Sequence, residues 1–496
     1  MADLQAPIIN WQIKKGETKA GLEEQRVLII AQGAGTAPFK ELQEDVQPTE
    51  VEALFGAGTL ATRAYQNFRK YNKANEVDII SLQEPVGGTA GQGGFLIEGT
   101  ATENKTLNYR IGDDQFLVST TIIKGETDAE IAVKIATDIN AKGYPFTASL
   151  DGVDLSLVLI DFDFKGEMSN GLTVSVDTKR VAGITFTPVA FSGGAGSHDT
   201  ADLFDGITKR FHSVLFDEAM NFDDVETFLQ GRVNLTNTVK GGSGFKMLNG
   251  TISTTKAFAD SKNSQTMTVF ANLDEMKINA LPILAVSEFV AKRALRLTED
   301  AVLGDLVIEA QEAFGGIEKA SLPYHNTPMS YKKPKKEIII EQVIDLNDSG
   351  LSLIVPTDTG TTLGSLVTLY KRDGTGVLDT TFKYLNAMDT SYAIQEYLFN
   401  NSQSEFGQTR ATNGDLVEGV AMTNPESVAS YIIGLYDDLV DFALAQGGAD
   451  AKKSFIKTLE VSLDATTGTY SVFAPVAIVA QFRGLNGVVA ISYTFN

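Results

Sequence analysis

Gly33 and Gly35 sit in the run Gln32-Gly33-Ala34-Gly35-Thr36-Ala37-Pro38, directly after the apolar stretch Val27-Leu28-Ile29-Ile30. A glycine turn after a buried strand is where α/β proteins cradle a phosphate with backbone N–H groups. The third glycine of that pattern and any following Lys-Ser/Thr pair are missing, and Pro38 removes one donor. Asp217-Glu218 follows the β-like run His212 to Phe216, at the strand end where α/β enzymes place catalytic groups. These two places define one enzymatic reading, an α/β hydrolase or nucleotide-using enzyme with a site near Gly33-Gly35 and Asp217-Glu218. Asp161 and Asp163 share a face of Asp161-Phe162-Asp163-Phe164. Such a pair can hold a hard cation or act as acid and base, although carboxylates two apart on a strand are more commonly its wet side.

The rest of the chemical inventory is thin. The 496 residues include no cysteine, which excludes disulfides, thiolate metal sites and thiol nucleophiles. His198, His212 and His325 lie far apart, none with a second histidine at metal-ligand spacing, and each is expected on a surface or in a loop. No G-x-S-x-G, H-E-x-x-H or EF-hand pattern occurs. No metal, cofactor or catalytic residue is therefore expected. With 41 basic against 63 acidic side chains the formal charge is −22, which argues against phosphate-backbone binding as the main task. No segment approaches the roughly 20 apolar residues that cross a bilayer. The start, Met1 to Ile13, lacks the basic and apolar regions of a secretion signal, so the chain is expected to stay where it is made.

Around these residues, strand-like and helix-like segments alternate. Val27 to Ile30, a short helix ending at Phe55-Gly56, a helix over Thr59 to Asn72 and a strand over Val77 to Leu82 form a βαβ-like unit. The texture changes between the glycine clusters at Gly87 to Gly94 and Gly193 to Gly196. Inside are short β-like runs at Phe95 to Ile97, Thr106 to Ile111, Phe116 to Thr121, Leu155 to Ile160 and Leu172 to Val176. One helix, Asp128 to Ala141, accompanies them, so the stretch is an inserted α+β domain. The βα alternation resumes from Phe211 through a helix at Pro282 to Leu297. The basic run Lys332-Lys333-Pro334-Lys335-Lys336 marks a further boundary, either a solvated linker or a contact for an acidic partner. Beyond it, Ile338 to Ile344, Ser352 to Val355 and Leu366 to Tyr370 read as strands and Ser391 to Asn400 as a helix. Asn424-Pro425-Glu426 opens a strong helix that stops by Gly447. The last part reads as strands at Phe455 to Leu463, Thr469 to Phe473, Val476 to Phe482 and Val488 to Phe495. The fold class is an α+β / α/β multidomain chain with a βα-rich core, an inserted α+β domain and a C-terminal α+β domain.

Both ends alternate like strands. Ile9, Trp11 and Ile13 share one face, with Trp11 the only tryptophan, and Val489, Ile491, Tyr493 and Phe495 share another. Termini fray unless held, so each reads as an extended arm captured by a sheet. That sheet is either the chain's own or a neighbouring copy's. The domain expectation is 1–25 as N-terminal arm and linker, 26–88 plus 196–327 as a discontinuous core, and 89–195 as the insert. Residues 328–487 follow as an inner C-terminal domain and 488–496 as a C-terminal strand arm.

Several segments together resemble the tail sheath proteins of Mu-like contractile-tailed phages. They are Arg26-Val27-Leu28-Ile29-Ile30-Ala31-Gln32-Gly33, Leu54-Phe55-Gly56-Ala57-Gly58-Thr59, and Ala64-Tyr65 before Glu76-Val77. Phe191-Ser192-Gly193-Gly194-Ala195-Gly196 is similar to the glycine-rich exit from that family's inserted domain. Tyr384-Leu385-Asn386 leading into Tyr392-Ala393-Ile394 resembles the start of its C-terminal helix, and Ala480-Gln481-Phe482-Arg483 its closing strand. This chain continues past that motif to Asn496, which leaves open which C-terminal strand is exchanged between subunits.

The resemblance implies a homo-oligomeric, six-fold helical sheath around a tail tube, which contracts to drive the tube through a bacterial envelope. Tube, baseplate and tail terminator proteins would be its partners, with no direct nucleic acid contact and no membrane insertion. It would reside in the virion tail after assembly in the host cytoplasm. The helix carrying Ser391, Gln395, Glu396, Asn400 and Asn401 would face the tube, and the two arms would link subunits. A tube or baseplate role in the same machine is a further alternative.

Overall fold

The computed structural model describes residues 25–112, 116–176, 181–233, 241–299, 327–334, 336–358, 360–442 and 444–479. Both arm segments, with Ile9, Trp11, Ile13, Val489, Ile491, Tyr493 and Phe495, lie outside them, as does His325. Two compact units divide the chain: residues 25–298 with 327–392, and the described residues from 393 onward.

The first unit opens with β1 (Val27–Gln32), β2 (Leu42–Gln43), α1 (Val51–Phe55), α2 (Leu60–Tyr71) and β3 (Val77–Leu82). Every residue of β1 and β3 is buried, as continuous apolar runs require of a sheet covered on both faces. The insert follows: β4 (Ala90–Gly99), β5 (Lys105–Ile111), β6 (Leu117–Ile122), α3 (Asp128–Asn140), β7 (Phe146–Leu150), β8 (Leu157–Lys165), β9 (Val174–Val176) and β10 (Ile184–Ser192). Its strands form one sheet ordered β10-β4-β8-β7 and another ordered β6-β5-β9. Thr127 and Glu130 cap α3 reciprocally, and Ile131, Ile135 and Ile139 are its buried stripe.

The chain then returns through β11 (Ser213–Phe216), α4 (Phe222–Gln230), β12 (Ser243–Gly250), α5 (Ile252–Asp260), β13 (Met267–Leu273) and α6 (Pro282–Glu299). β14 (Pro328–Met329), α7 (Ile340–Asp348), β15 (Leu351–Pro356) and β16 (Thr361–Leu363) complete a sheet ordered β14-β16-β15-β13-β12-β11-β1-β3-β2. The run β15-β13-β12-β11-β1-β3 is parallel throughout, and β2, β14 and β16 are antiparallel additions. One face of the sheet, with Val27, Ile29, Ile79 and Phe245, shares an apolar cluster with α2, α6 and the insert. The other, with Leu28, Ile30, Val214 and Phe216, is covered by α4, α5 and α7. α6 is buried all round from Pro282 to Ala291, including Ser287 and Glu288.

The boundary expected at residue 328 therefore falls inside this sheet. The basic run lies between β14 and helix α7, and the unit reaches Tyr392, with β15 paired to β13 from the preceding segment. Ile338 to Ile344, expected as a strand, is mostly helix α7. There Leu346 is buried, Val343 is partly buried and the Gln342 side chain accepts from the Ile339 N–H at 3.2 Å. Leu366 to Tyr370 joins no ladder. It is held by the Ser352 hydroxyl at Val367 and by the Leu369 N–H donating to Met267 O at 3.0 Å.

Helix α8 (Leu385–Phe406) contains the division between the units. The second unit continues with β17 (Arg410–Ala411), β18 (Met422–Thr423), α9 (Pro425–Asp441), α10 (Ala449–Thr458), β19 (Glu460–Asp464) and β20 (Thr469–Phe473). Asn424 caps α9, with its side-chain oxygen accepting from the Ser427 N–H at 2.9 Å and Pro425 in the first turn. Val428, Ile432, Leu435 and Leu439 from α9 and Phe455 from α10 anchor this unit's core. Phe455 was expected to open a strand. It lies instead in the last turns of α10, its ring stacked on Tyr436 at 4.2 Å, and the strand starts only at Glu460. Val476 to Phe482 shows a single bridge, Ile478 to Ala445, within its described part.

Candidate functional site

The parallel sheet changes direction beside β1. The chain moves from β1 to β3 on one side, and after the insert it moves to β11, β12 and β13 on the other. That makes the carboxyl end between β1 and β11 a topological switch point, the usual ligand crevice of open α/β sheets. Both candidate segments of the enzymatic reading converge there, since Gln32 ends β1 and Asp217 follows β11.

The crevice is occupied by the chain's own groups. Asp217 is fully buried, and its Oδ2 accepts from the Gln32 N–H at 3.1 Å and lies 3.0 Å from His198 Nε2. Four donors of the glycine turn are engaged: Gly33 N–H on Leu82 O (3.1 Å), Ala34 on Phe55 O (2.8 Å), Thr36 on Ala53 O (3.1 Å) and Ala37 on Leu54 O (2.8 Å). A Cβ at Gly35 would stand 2.3 Å from Leu54 O, and one at Gly33 2.4 Å from Ser81 Oγ. The glycines thus let the turn lie against α1 and β3, with those four N–H groups turned to the fold rather than to a phosphate.

Next to Asp217, burial pushes the Glu218 carboxyl up to about 8, against the opposing pull of the Lys246 ammonium. Burial likewise lowers Lys246, whose Nζ donates to the backbone oxygens of Glu218 (3.0 Å) and Met220 (3.1 Å). Glu218 Oε1 accepts from the Asn249 N–H at 3.3 Å. The Glu218 and Lys246 side chains hold the loop after β11 against β12. Asp161 and Asp163 are partnered along their own sheet: Asp161 with Gln92 Nε2 at 2.8 Å and Asp163 with the Thr147 hydroxyl at 2.8 Å. Burial raises Asp163 against the pull of Thr147 and Arg63. Among the described residues no group of three or more His, Asp or Glu side chains could hold a metal.

Two of the histidines expected on a surface or in a loop are loop residues, and both are buried, because each fills a polar position beside an end of the sheet. His198 is 6% exposed and spans Gln83 and Asp217 at the carboxyl edge. His212 is 7% exposed and accepts from the Arg26 N–H at 3.0 Å. Burial first, then Arg210, Arg293 and Arg26, hold its imidazole well below the ordinary value. No local pattern signals either role: His198 lies in a glycine-rich connection, and its partners come from the ends of β3 and β11.

The tube-facing candidates fall on α8. Ser391 donates to Ala387 O at 2.7 Å, and Asn401 donates to Tyr397 O at 2.8 Å and accepts at its carbonyl from the Tyr431 hydroxyl at 3.3 Å. Gln395 is half-buried and Asn400 exposed, whereas Glu396 is buried and is the least available of the five to a surface partner. Also in this unit, β19 and β20 form an antiparallel pair that joins no larger sheet among the described residues, with Phe473 61% exposed at its end.

No known family profile matches the chain. Among solved structures, sheath tail proteins from Desulfitobacterium hafniense and Listeria innocua overlap it loosely. The first has a TM-score of 0.46 and 10% identity over 96% of this chain and 97% of that one. The second has a TM-score of 0.45 and 12% identity over 92% and 93%. A curated relative, the Mu-like prophage FluMu tail sheath protein of Haemophilus influenzae, is 20% identical over 445 residues, covering 88% of this chain and 85% of its own length. The chain is thus similar, along most of its sequence, to a tail sheath protein of a Mu-like prophage.

Proposed function

We propose that the chain is a structural subunit of a contractile phage tail sheath. Copies of it polymerise helically, with six-fold symmetry, around a tail tube and shorten to drive that tube through a bacterial envelope. The observation that carries this is the similarity to a Mu-like tail sheath protein over 88% of the chain and 85% of the relative. The switch-point crevice supports a structural rather than catalytic role, since Asp217 Oδ2 and four of the turn's N–H donors are engaged within the fold. Tail tube, baseplate and terminator proteins are the expected partners, the virion tail the location, and the host cytoplasm the place of assembly.

In this reading the arms carrying Ile9, Trp11 and Ile13 and Val489, Ile491, Tyr493 and Phe495 pair with neighbouring copies. The β19–β20 pair is a fitting receiver. Two strands alone are marginal in water, and their open edges template further strands. Each added backbone bond contributes about 0.5–1.5 kcal/mol net, so several per arm give a tether that bends without parting. Exposed Asn400 and half-buried Gln395 on α8 are the better candidates for tube contact.

Electron microscopy of the concentrated protein tests the proposal. Tubes, rings or helical fragments are expected. Uniform small particles at every concentration and salt condition would overturn it and return weight to an enzymatic reading.

A further inference from the structure

We propose that His198 is a proton-operated clamp at the root of the inserted domain, closed when it shares two protons with its partners and half-released when one is lost. The connections into and out of the insert run side by side. Thr89 and Ala195 exchange both backbone hydrogen bonds, at 2.8 and 3.0 Å. A Cβ on Gly196 would lie 2.8 Å from Gly88 Cα, so the two connections touch without slack.

His198 sits just after this contact, and its imidazole reaches two acceptors at once. Nδ1 is 2.7 Å from Gln83 O, on the entering connection, and Nε2 is 3.0 Å from Asp217 Oδ2, at the end of β11. A carbonyl oxygen and an ionised carboxylate only accept, while a neutral imidazole carries a single N–H. Both bonds therefore need one proton more than neutral histidine and ionised aspartate together hold. Asp217 Oδ2 also accepts from the Gln32 N–H. The His198 N–H donates to Ala219 O at 2.9 Å. The His198 side chain thus joins the ends of β3 and β11 to the exit of the insert, and Asp217 carries the link on to the end of β1.

The charged surroundings come from several elements. Glu84 on the entering connection and Asp217 favour the cation, and Glu84 is itself paired with Lys165 of β8 at 3.0 Å. Lys246 of β12 acts on Asp217 from the far side, beside Glu218. Lys40 pairs with Asp199, the next residue, at 2.6 Å. Burial alone would lower the imidazole, but Asp217, Gln83 and Glu84 together raise it above its ordinary 6.5. A value raised by folding stabilises the closed clamp fully below about pH 6.5 and loses that contribution as pH rises through the folded value. Other contacts, such as Asn279 Nδ2 on Thr173 O at 3.0 Å, keep the insert against the sheet, so the change is confined to its root.

The clamp does not depend on whether the chain polymerises. Its test is hydrogen exchange of the full chain between pH 5.5 and 8.5, corrected for intrinsic rates and read in peptides covering 83–89 and 193–198. Protection should be constant below about pH 6.5 and then fall by up to about tenfold per pH unit, the limit for one proton. Peptides from α3 should show no such change. His198→Gln should give a flat profile at the weaker level. Unchanged protection across pH in the unaltered chain, or the same profile in His198→Gln, overturns the clamp. Should His198→Gln fail to fold, NMR titration of the unaltered chain decides, since it has only three histidines. Titration of His198 above 6.5 supports the clamp, and titration at or below 6.5 refutes it.

Discussion

Gly35 and Asp389 show how single residues hold the first unit. A methyl group on Gly35 would press on Leu54 O at 2.3 Å and Phe55 N at 2.5 Å, both backbone atoms that cannot swing aside. Gly35→Ala is therefore expected to cost about 1–3 kcal/mol, seen as a lower urea midpoint. If the turn held a nucleotide instead, the first loss would be in binding. Asp389 pairs with Arg293, whose side chain is 2% exposed and also donates to the Ser213 hydroxyl at 2.5 Å. Asp389→Ala leaves a buried guanidinium short of its carboxylate, and such losses cost about 3–5 kcal/mol. Thermal or urea unfolding should show this as a marked drop, with Asp389→Asn intermediate. Gly33 and Gly35 were conspicuous in the sequence because glycine spacing is local. The arrangement of Arg293 and Asp389 was not, because no periodicity links residues that far apart.

Among the elements, α7 separates propensity from packing. Ile338, Ile339 and Ile340 are β-branched and favour extended backbone. The helix forms because Leu346 is buried and Val343 partly buried against the sheet, leaving Ile340 64% and Ile344 54% exposed. Lysine at Ile340 or Ile344 should change stability by no more than about 0.5 kcal/mol. Leu346→Ala should cost about 2–5 kcal/mol. A strand over Ile338 to Ile344 would bury Ile340 and Ile344 together, so marked destabilisation by lysine at both would contradict the helix. At α9 the sequence spoke plainly. Asn424-Pro425 announces the start, and replacing Asn424 by Ala should lower stability by about 0.5–2 kcal/mol, measurable by denaturant unfolding.

For the whole molecule the governing quantity is the charge of −22 on each copy. In the proposed sheath, assembly must bring like-charged bodies together, so polymer yield should rise as salt shortens the screening length to about 8 Å near 0.15 M. Sedimentation across a salt series checks this, and a yield that falls with salt would point to ion pairing as the main adhesive. Removing residues 1–13 should leave folded chains that no longer polymerise. Normal tube yield from that truncated chain would mean that the first arm is dispensable.

Features that depend on near neighbours were readable from the chain alone. The apolar runs of β1 and β3, the stripe of α3 and the cap of α9 were legible because side chains repeat every second residue on strands and every third or fourth on helices. The family resemblance was legible for a similar reason, since it rests on short contiguous segments. Long-range packing settled which strands became neighbours. It carried the sheet past residue 328 through β15 on β13, filled the crevice between β1 and β11, and brought His198 to Asp217 and Gln83. Those outcomes depend on contacts between segments far apart in the chain, and strand order is set by burying both faces of one sheet, a condition that no local window of sequence contains.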